Sequence, residues 1–158
     1  MIKIVQGDLL KSDCNVVMHQ CNCFNKMGAG IARQIKTQYP KAFEADYNHP
    51  VPLGKDRLGG YSAAIDKGVL IVNLYAQIGY GRGTRTQYEY FQKALRNALQ
   101  KIQKDGVEAK IGLPYGIGCG LAGGNWNIIL GIITEAAEEF NITIYLYKIN
   151  WKNSYNIL

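Results

Sequence analysis

The chain has 158 residues, of which 47% are hydrophobic and 19% charged, and it carries a formal net charge of +6. That is enough apolar material for a real core, which excludes a disordered chain and makes one domain over 1–158 the simplest division. No apolar run approaches the ~20 residues of a membrane span, and Met1–Gln6 is too short and too alternating for a signal peptide, so a cytoplasmic protein with no membrane partner is expected.

In chain order, Ile2, Ile4 and Val5 open a short strand that ends at Gly7-Asp8, and Val16–Cys21 reads as a second, buried strand forming a hairpin-like pair with it. A glycine-rich turn, Cys23-Phe24-Asn25-Lys26-Met27-Gly28-Ala29-Gly30, leads into a helix over Ala29–Tyr39, where Ile31, Ile35 and Tyr39 share a face and Pro40 marks the end. A surface connection with several Pro and Gly residues fills 48–60. Strands follow at Tyr61–Ile65 and Gly68–Tyr75.

The loop Ile78–Thr86 carries Gly79, Gly81 and Gly83 and precedes a helix over Gln87–Lys104, whose Phe91, Leu95, Leu99 and Ile102 repeat at helical spacing. Ala109–Pro114 is a strand. It runs into a second glycine-rich turn, Tyr115-Gly116-Ile117-Gly118-Cys119-Gly120-Leu121-Ala122-Gly123-Gly124, and Asn125 suits the cap of a helix starting at Trp126. Ile142–Tyr147 is the last clear strand, and the tail 150–158 has no assignment. The alternation of strands and helices predicts an α/β fold: a mixed, mainly parallel sheet covered on both faces, three layers in all. Ligands of such sheets bind beyond the carboxyl ends of the strands, where both glycine turns fall.

Glycines let backbone N–H groups approach a ligand, and a following helix points its positive end at it. Two such turns can clamp a pyrophosphate. The positive charge suits an anionic partner, but the basic residues are spread along the chain and no nucleic-acid recognition motif is visible, so nucleic acid ranks last among the partners. Cys14, Cys21, Cys23 and Cys119 do not have zinc-knuckle spacing, even with His19 nearby, and read as small buried thiols; no metal and no cofactor are expected. A Rossmann dehydrogenase is disfavoured because Arg33 stands where the third glycine of Gly-x-Gly-x-x-Gly belongs.

Gly7-Asp8-Leu9-Leu10, His19-Gln20-Cys21-Asn22-Cys23, Met27-Gly28-Ala29-Gly30-Ile31-Ala32 and Pro114-Tyr115-Gly116-Ile117-Gly118-Cys119-Gly120-Leu121 stand in register over nearly the whole chain. Together they resemble the macrodomain family, and Asn73-Leu74-Tyr75-Ala76-Gln77 resembles its middle strand. The nearest branch holds ADP-ribose-1″-phosphate phosphatases and terminal ADP-ribose protein glycohydrolases. The resemblance implies a three-layer macrodomain with a pocket for ADP-ribose or ADP-ribose-1″-phosphate, and ADP-ribosylated protein as a further partner.

It further implies that Asp8 accepts from the adenine amino group beside Leu9, and that Gly28, Ala29, Gly30 and Ile31 wrap the distal ribose and a phosphate. Gly116, Ile117, Gly118, Cys119, Gly120 and Leu121 would donate N–H groups to the diphosphate. Asn22 would sit at the distal ribose. For each there is a plainer alternative: Asp8 as a cap, the glycines as tight turns, Asn22 as a holder of its loop.

His19 lies on a strand expected to be buried, which suits a satisfied core histidine; as a catalytic residue it would join Asn22 in positioning a water or a leaving oxygen. Gln20 points to the opposite face and reaches the ligand only if that face opens to the cleft. Arg82 and Arg85 are candidates for an additional phosphate, and Tyr80 or Tyr147 for stacking on ribose or adenine. The chain departs from the glycohydrolase pattern at Gln77, where a lysine belongs, and at Ala122, where an aspartate belongs. The lysine–aspartate mechanism is therefore expected to be absent. Three readings stay open: phosphatase, substrate-assisted release of ADP-ribose, and a non-catalytic ADP-ribose reader.

Overall fold

A computed structural model describes residues 1–81 and 85–149. Six strands form one sheet: β1 (Ile2–Gln6), β2 (Val16–Cys21), β3 (Tyr61–Asp66), β4 (Val69–Tyr75), β5 (Ile111–Pro114) and β6 (Ile144–Lys148). Their order across the sheet is β1-β6-β5-β2-β4-β3. Every neighbouring pair is parallel except β3 with β4. Four helices cover it: α1 (Gly30–Gln38), α2 (Pro40–Tyr47), α3 (Tyr88–Lys104) and α4 (Trp126–Glu139).

The alternation of side chains along the central strands builds the two outer layers. Val16, Met18, Val72 and Leu74 face α3 and α4, in one core with Phe91, Leu95, Ile129 and Ile133. Val17 and Ile71 face the other way, toward Ile35 and Tyr39 of α1 and Ala42 of α2. The fold is thus a three-layer α/β/α domain with a mixed, mostly parallel sheet, as the alternating pattern predicts.

The pairing of the first two strands is corrected. β1 and β2 are not a hairpin pair: β1 lies at the sheet edge on β6, and β6 and β5 separate it from β2. The first helix does end before Pro40, as expected, but a second helix without a counterpart in the sequence reading starts there. Tyr39 closes α1 and Pro40 opens α2 at once, because a first-turn residue has no use for the N–H that proline lacks. The last two parallel strands start at Ile111 and Ile144, two residues later than their hydrophobic runs suggest.

Gly112 shows why a glycine sits inside β5. A Cβ there would fall 2.6 Å from Leu9 Cδ1 and 2.7 Å from Cys14 Sγ, so the missing side chain lets the short turn Leu9–Lys11 pack directly on the strand. No described helix is long and apolar enough to cross a membrane.

Candidate functional site

β2, β4 and β5 end side by side at Cys21, Tyr75 and Pro114, and beyond them opens a cleft of about 490 Å3. One wall is the β2–α1 loop with Asn22, Lys26, Gly28, Ala29, Gly30 and Ile31; the other is the β5–α4 loop with Gly116, Ile117, Gly118, Gly120, Leu121 and Ala122. Gln20 and Gln77 form the floor, and Tyr80 stands at the rim, 58% exposed.

The first wall ends in a helix start built for an anion. Ala29 is the residue before α1 and gives no side-chain cap, and Gly30, Ile31 and Ala32 of the first turn, whose N–H groups have no partner within a helix, line the cleft. In the second wall Gly116 and Gly118 have φ of 80° and 76°, conformations that ordinary side chains resist. The Gly118 carbonyl is turned inward, accepting from Gly124 N–H at 2.9 Å and from the Thr86 hydroxyl at 2.6 Å. Among the described residues, the N–H groups of Gly118, Gly120 and Leu121 find no acceptor, and all three residues line the cleft.

Asn22 is 6% exposed, and its amide is already engaged. Its Nδ2 donates to Lys26 O at 2.5 Å, and its Oδ1 accepts from Phe24 N at 2.9 Å and Lys26 N at 3.3 Å. Asn22 therefore shapes the wall it lines. Gln20 reaches the cleft on the face opposite His19. Its Nε2 donates to Gln77 Oε1 at 2.8 Å and Thr86 Oγ1 at 2.9 Å, while its buried Oε1 has no partner. Gln77 in turn donates to Gly79 O at 2.9 Å.

His19 does not reach the cleft. It is fully buried on the α2 side of β2, bonded to Asn73 Oδ1 at 2.6 Å, and burial pulls its pKa down to about 4. A neutral ring with that partner behaves as a satisfied core histidine, so the catalytic expectation for His19 has no geometric support. Asp8 caps the turn Leu9–Lys11, accepting from Leu10 N at 2.9 Å, and Leu9 is buried beneath it. Both lie at the carboxyl end of β1, outside the cleft lining. Cys119, in the β5–α4 loop, is also outside the lining; its thiol turns to Ile117 O and is pushed up in pKa by burial.

Tyr147 also departs from expectation. It packs into the α1-side core with its hydroxyl 3.8 Å from Cys14 Sγ, leaving Tyr80 as the aromatic at the rim. Arg85 is exposed, and Arg82 lies outside the described residues. Lys26 lines the cleft and was not singled out from the sequence, although its place between Asn22 and Gly28 was the available signal. It is the one charged residue of that lining among the described residues. Among the described residues no group of three or more His, Cys, Asp or Glu is placed to hold a metal ion.

A family model for the Macro domain matches residues 18–133. The uncharacterized 17.5 kDa protein in the tk-vs intergenic region of Enterobacteria phage T4 is 32% identical over 155 residues, covering 91% of this chain and 95% of that protein. The DNA ADP-ribosyl glycohydrolase of Mycobacterium tuberculosis is 28% identical over 144 residues; the match takes in 88% of this chain but only 39% of that protein's length. Among solved structures, the macrodomain of Thermus aquaticus DarG matches with a TM-score of 0.76 at 23% identity, over 93% of this chain and 97% of that one.

Proposed function

This chain belongs to the macro domain family, an ADP-ribose-binding fold, and from that premise we propose that its cleft binds ADP-ribose and releases it from 1″-linked adducts. The observation that carries this reading is the pair of facing walls: an uncapped helix start on one side and an N–H nest on the other, across about 490 Å3. A diphosphate needs donors on two sides, and backbone groups supply them without a lysine. Asp8 remains the candidate for the adenine amino group through the carboxylate oxygen its cap leaves over.

Gln77 and Ala122 both line the cleft, so neither a lysine nucleophile nor an aspartate base stands at those positions. Release then relies on positioning. The substrate's own phosphate activates a water held near the Asn22 wall, in a cleft whose described lining offers only Lys26 as a charge. The relative from Mycobacterium tuberculosis is named for action on DNA adducts, and a net charge of +6 suits such a carrier. An ADP-ribosyl group on nucleic acid therefore joins ADP-ribosylated protein and ADP-ribose-1″-phosphate as a substrate to assay.

The test is calorimetric titration with ADP-ribose beside AMP, followed by turnover assays on all three adducts. Affinity near 1 μM, about 8 kcal/mol, with much weaker AMP binding and release of ADP-ribose from one adduct is the expected result. Binding with no turnover on any of them would make the protein a reader of ADP-ribose. No binding would remove the reading altogether.

A further inference from the structure

The β2–α1 wall is fastened from behind by a buried arginine outside the cleft. Arg57, 3% exposed, follows Gly54, whose N–H donates to Cys23 O at 3.0 Å. Its Nη1 donates to Asn25 Oδ1 at 2.6 Å, its Nε to Val51 O at 2.9 Å and its Nη2 to His49 O at 3.3 Å. Asp46 Oδ1 lies 3.5 Å from Nη1 and is also held by the Tyr75 hydroxyl at 2.6 Å. Only a guanidinium has enough donors in a fixed plane to meet partners on three sides.

Asn25 is the wall's point of attachment. Its φ of 59° turns the chain between Asn22 and Lys26, both cleft residues, and its side chain points away to Arg57. We infer that Arg57 and Asn25 are positioning residues that set the wall formed by residues 22–30 for its ligand. This rests on the reading of the cleft as an ADP-ribose site. Neither side chain lines the cleft, so both act through the loop backbone.

The test uses Asn25→Gly, which accepts the positive φ but loses the bond, and Asn25→Asp, which tolerates that φ and keeps an acceptor for Arg57. Removing Arg57 would leave the Asp46 carboxylate buried without a cation and is expected to destabilise the fold, so the Asn25 pair carries the test. Asn25→Gly is expected to weaken ADP-ribose binding about tenfold through lost preorganisation, and Asn25→Asp to stay near wild type. Hydrogen exchange of the unliganded protein should quicken at Lys26–Gly30 in Asn25→Gly and stay unchanged at Gly116–Leu121.

Equal affinity and exchange in wild type and Asn25→Gly would overturn the inference. So would an Asn25→Asp variant as weak as Asn25→Gly. A wild-type protein that binds no ADP-ribose would overturn the functional reading instead, and the exchange measurement would still decide whether Asn25 positions the wall.

Discussion

The two walls of the cleft are held by different means. The wall at 115–124 is held chiefly by backbone: Ile117 N–H to Pro114 O, Cys119 N–H to Gly116 O, Gly123 N–H to Gly120 O and Gly124 N–H to Gly118 O, with glycines at the positive φ values. The wall at 22–30 has backbone bonds at Cys23, to Ile78 O and from Gly54 N–H, but beyond Cys23 it is held by side chains, through Asn22 inside the loop and Asn25 outside it. A backbone-held loop is nearly a local property of its sequence. A side-chain-held loop depends on residues far along the chain, here Arg57, 32 positions on.

That contrast breaks most visibly at Gly118. A Cβ there would lie 2.8 Å from Gln20 Oε1 at a φ of 76°. Gly118→Glu is expected to cost about 3 kcal/mol of ADP-ribose binding, from strain and overpacking together; calorimetry on a folded variant that still bound normally would sink the two-wall clamp.

Acid should act on the side-chain-held half. His19 bonds to Asn73, and the polar chain continues through Ser62, Tyr75 and Asp46 to Arg57. The pKa of His19 is lowered from 6.5 to about 4 in the folded state. The unfolded chain takes up a proton first as pH falls. Stability is therefore fully present above about 6.5 and is lost between there and about 4, amounting to about 3 kcal/mol. Urea unfolding across this range should show the slope, and His19→Gln should flatten it.

Asn22→Ala removes one donor and one acceptor from the first wall, and a loss of about 2 kcal/mol of stability is expected, with weaker ADP-ribose binding. At the far end, Asp8→Ala loses a cap and the proposed adenine acceptor; about 1 kcal/mol in each of stability and binding is expected. Unchanged affinity in that folded variant would remove Asp8 from the site. Cys119→Ala sharpens the comparison from the small side: its partly buried side chain packs at the margin of the α3/α4-side core, and its thiol hydrogen bond is a 3.5 Å contact to Ile117 O. The unfolding free energy from denaturant titration should fall by less than about 0.5 kcal/mol, and a larger loss would show that side chains hold the second wall as well.

The same distinction explains what could be read from the sequence. Val16–Cys21, the run to Tyr75 and both glycine turns were legible because hydrophobic runs and glycines are local signals. The fastening of the first wall was not legible: Asn25, Asp46 and Arg57 meet only because α2 starts directly at Pro40 and folds back over β4, and the proline read as a stop. Gln20 and His19 were separable by strand alternation, and the structure puts Gln20 at the cleft and His19 in the core. The double engagement of the Asn22 amide was not readable, since one residue in a loop gives no sign of which backbone groups turn toward it. The place of β1 is hidden for a similar reason: β1 and β2 are neighbours in sequence but not in the sheet, and nothing local in β1 names β6 as its partner.

The position of β1 bears on how the molecule assembles during synthesis. Among the described residues its one strand partner is β6, in a register that joins Ile2 to Ile144 and Gln6 to Lys148. Of these six strands, the first in chain order thus has no place to dock in the sheet until the sixth has been made. Such a distant pairing closes late because it carries the greatest loop-closure entropy. The cleft strands β2, β4 and β5 do not wait for β1 as a partner, so the ligand-facing edge can take shape while the opening residues of the chain are still unpaired.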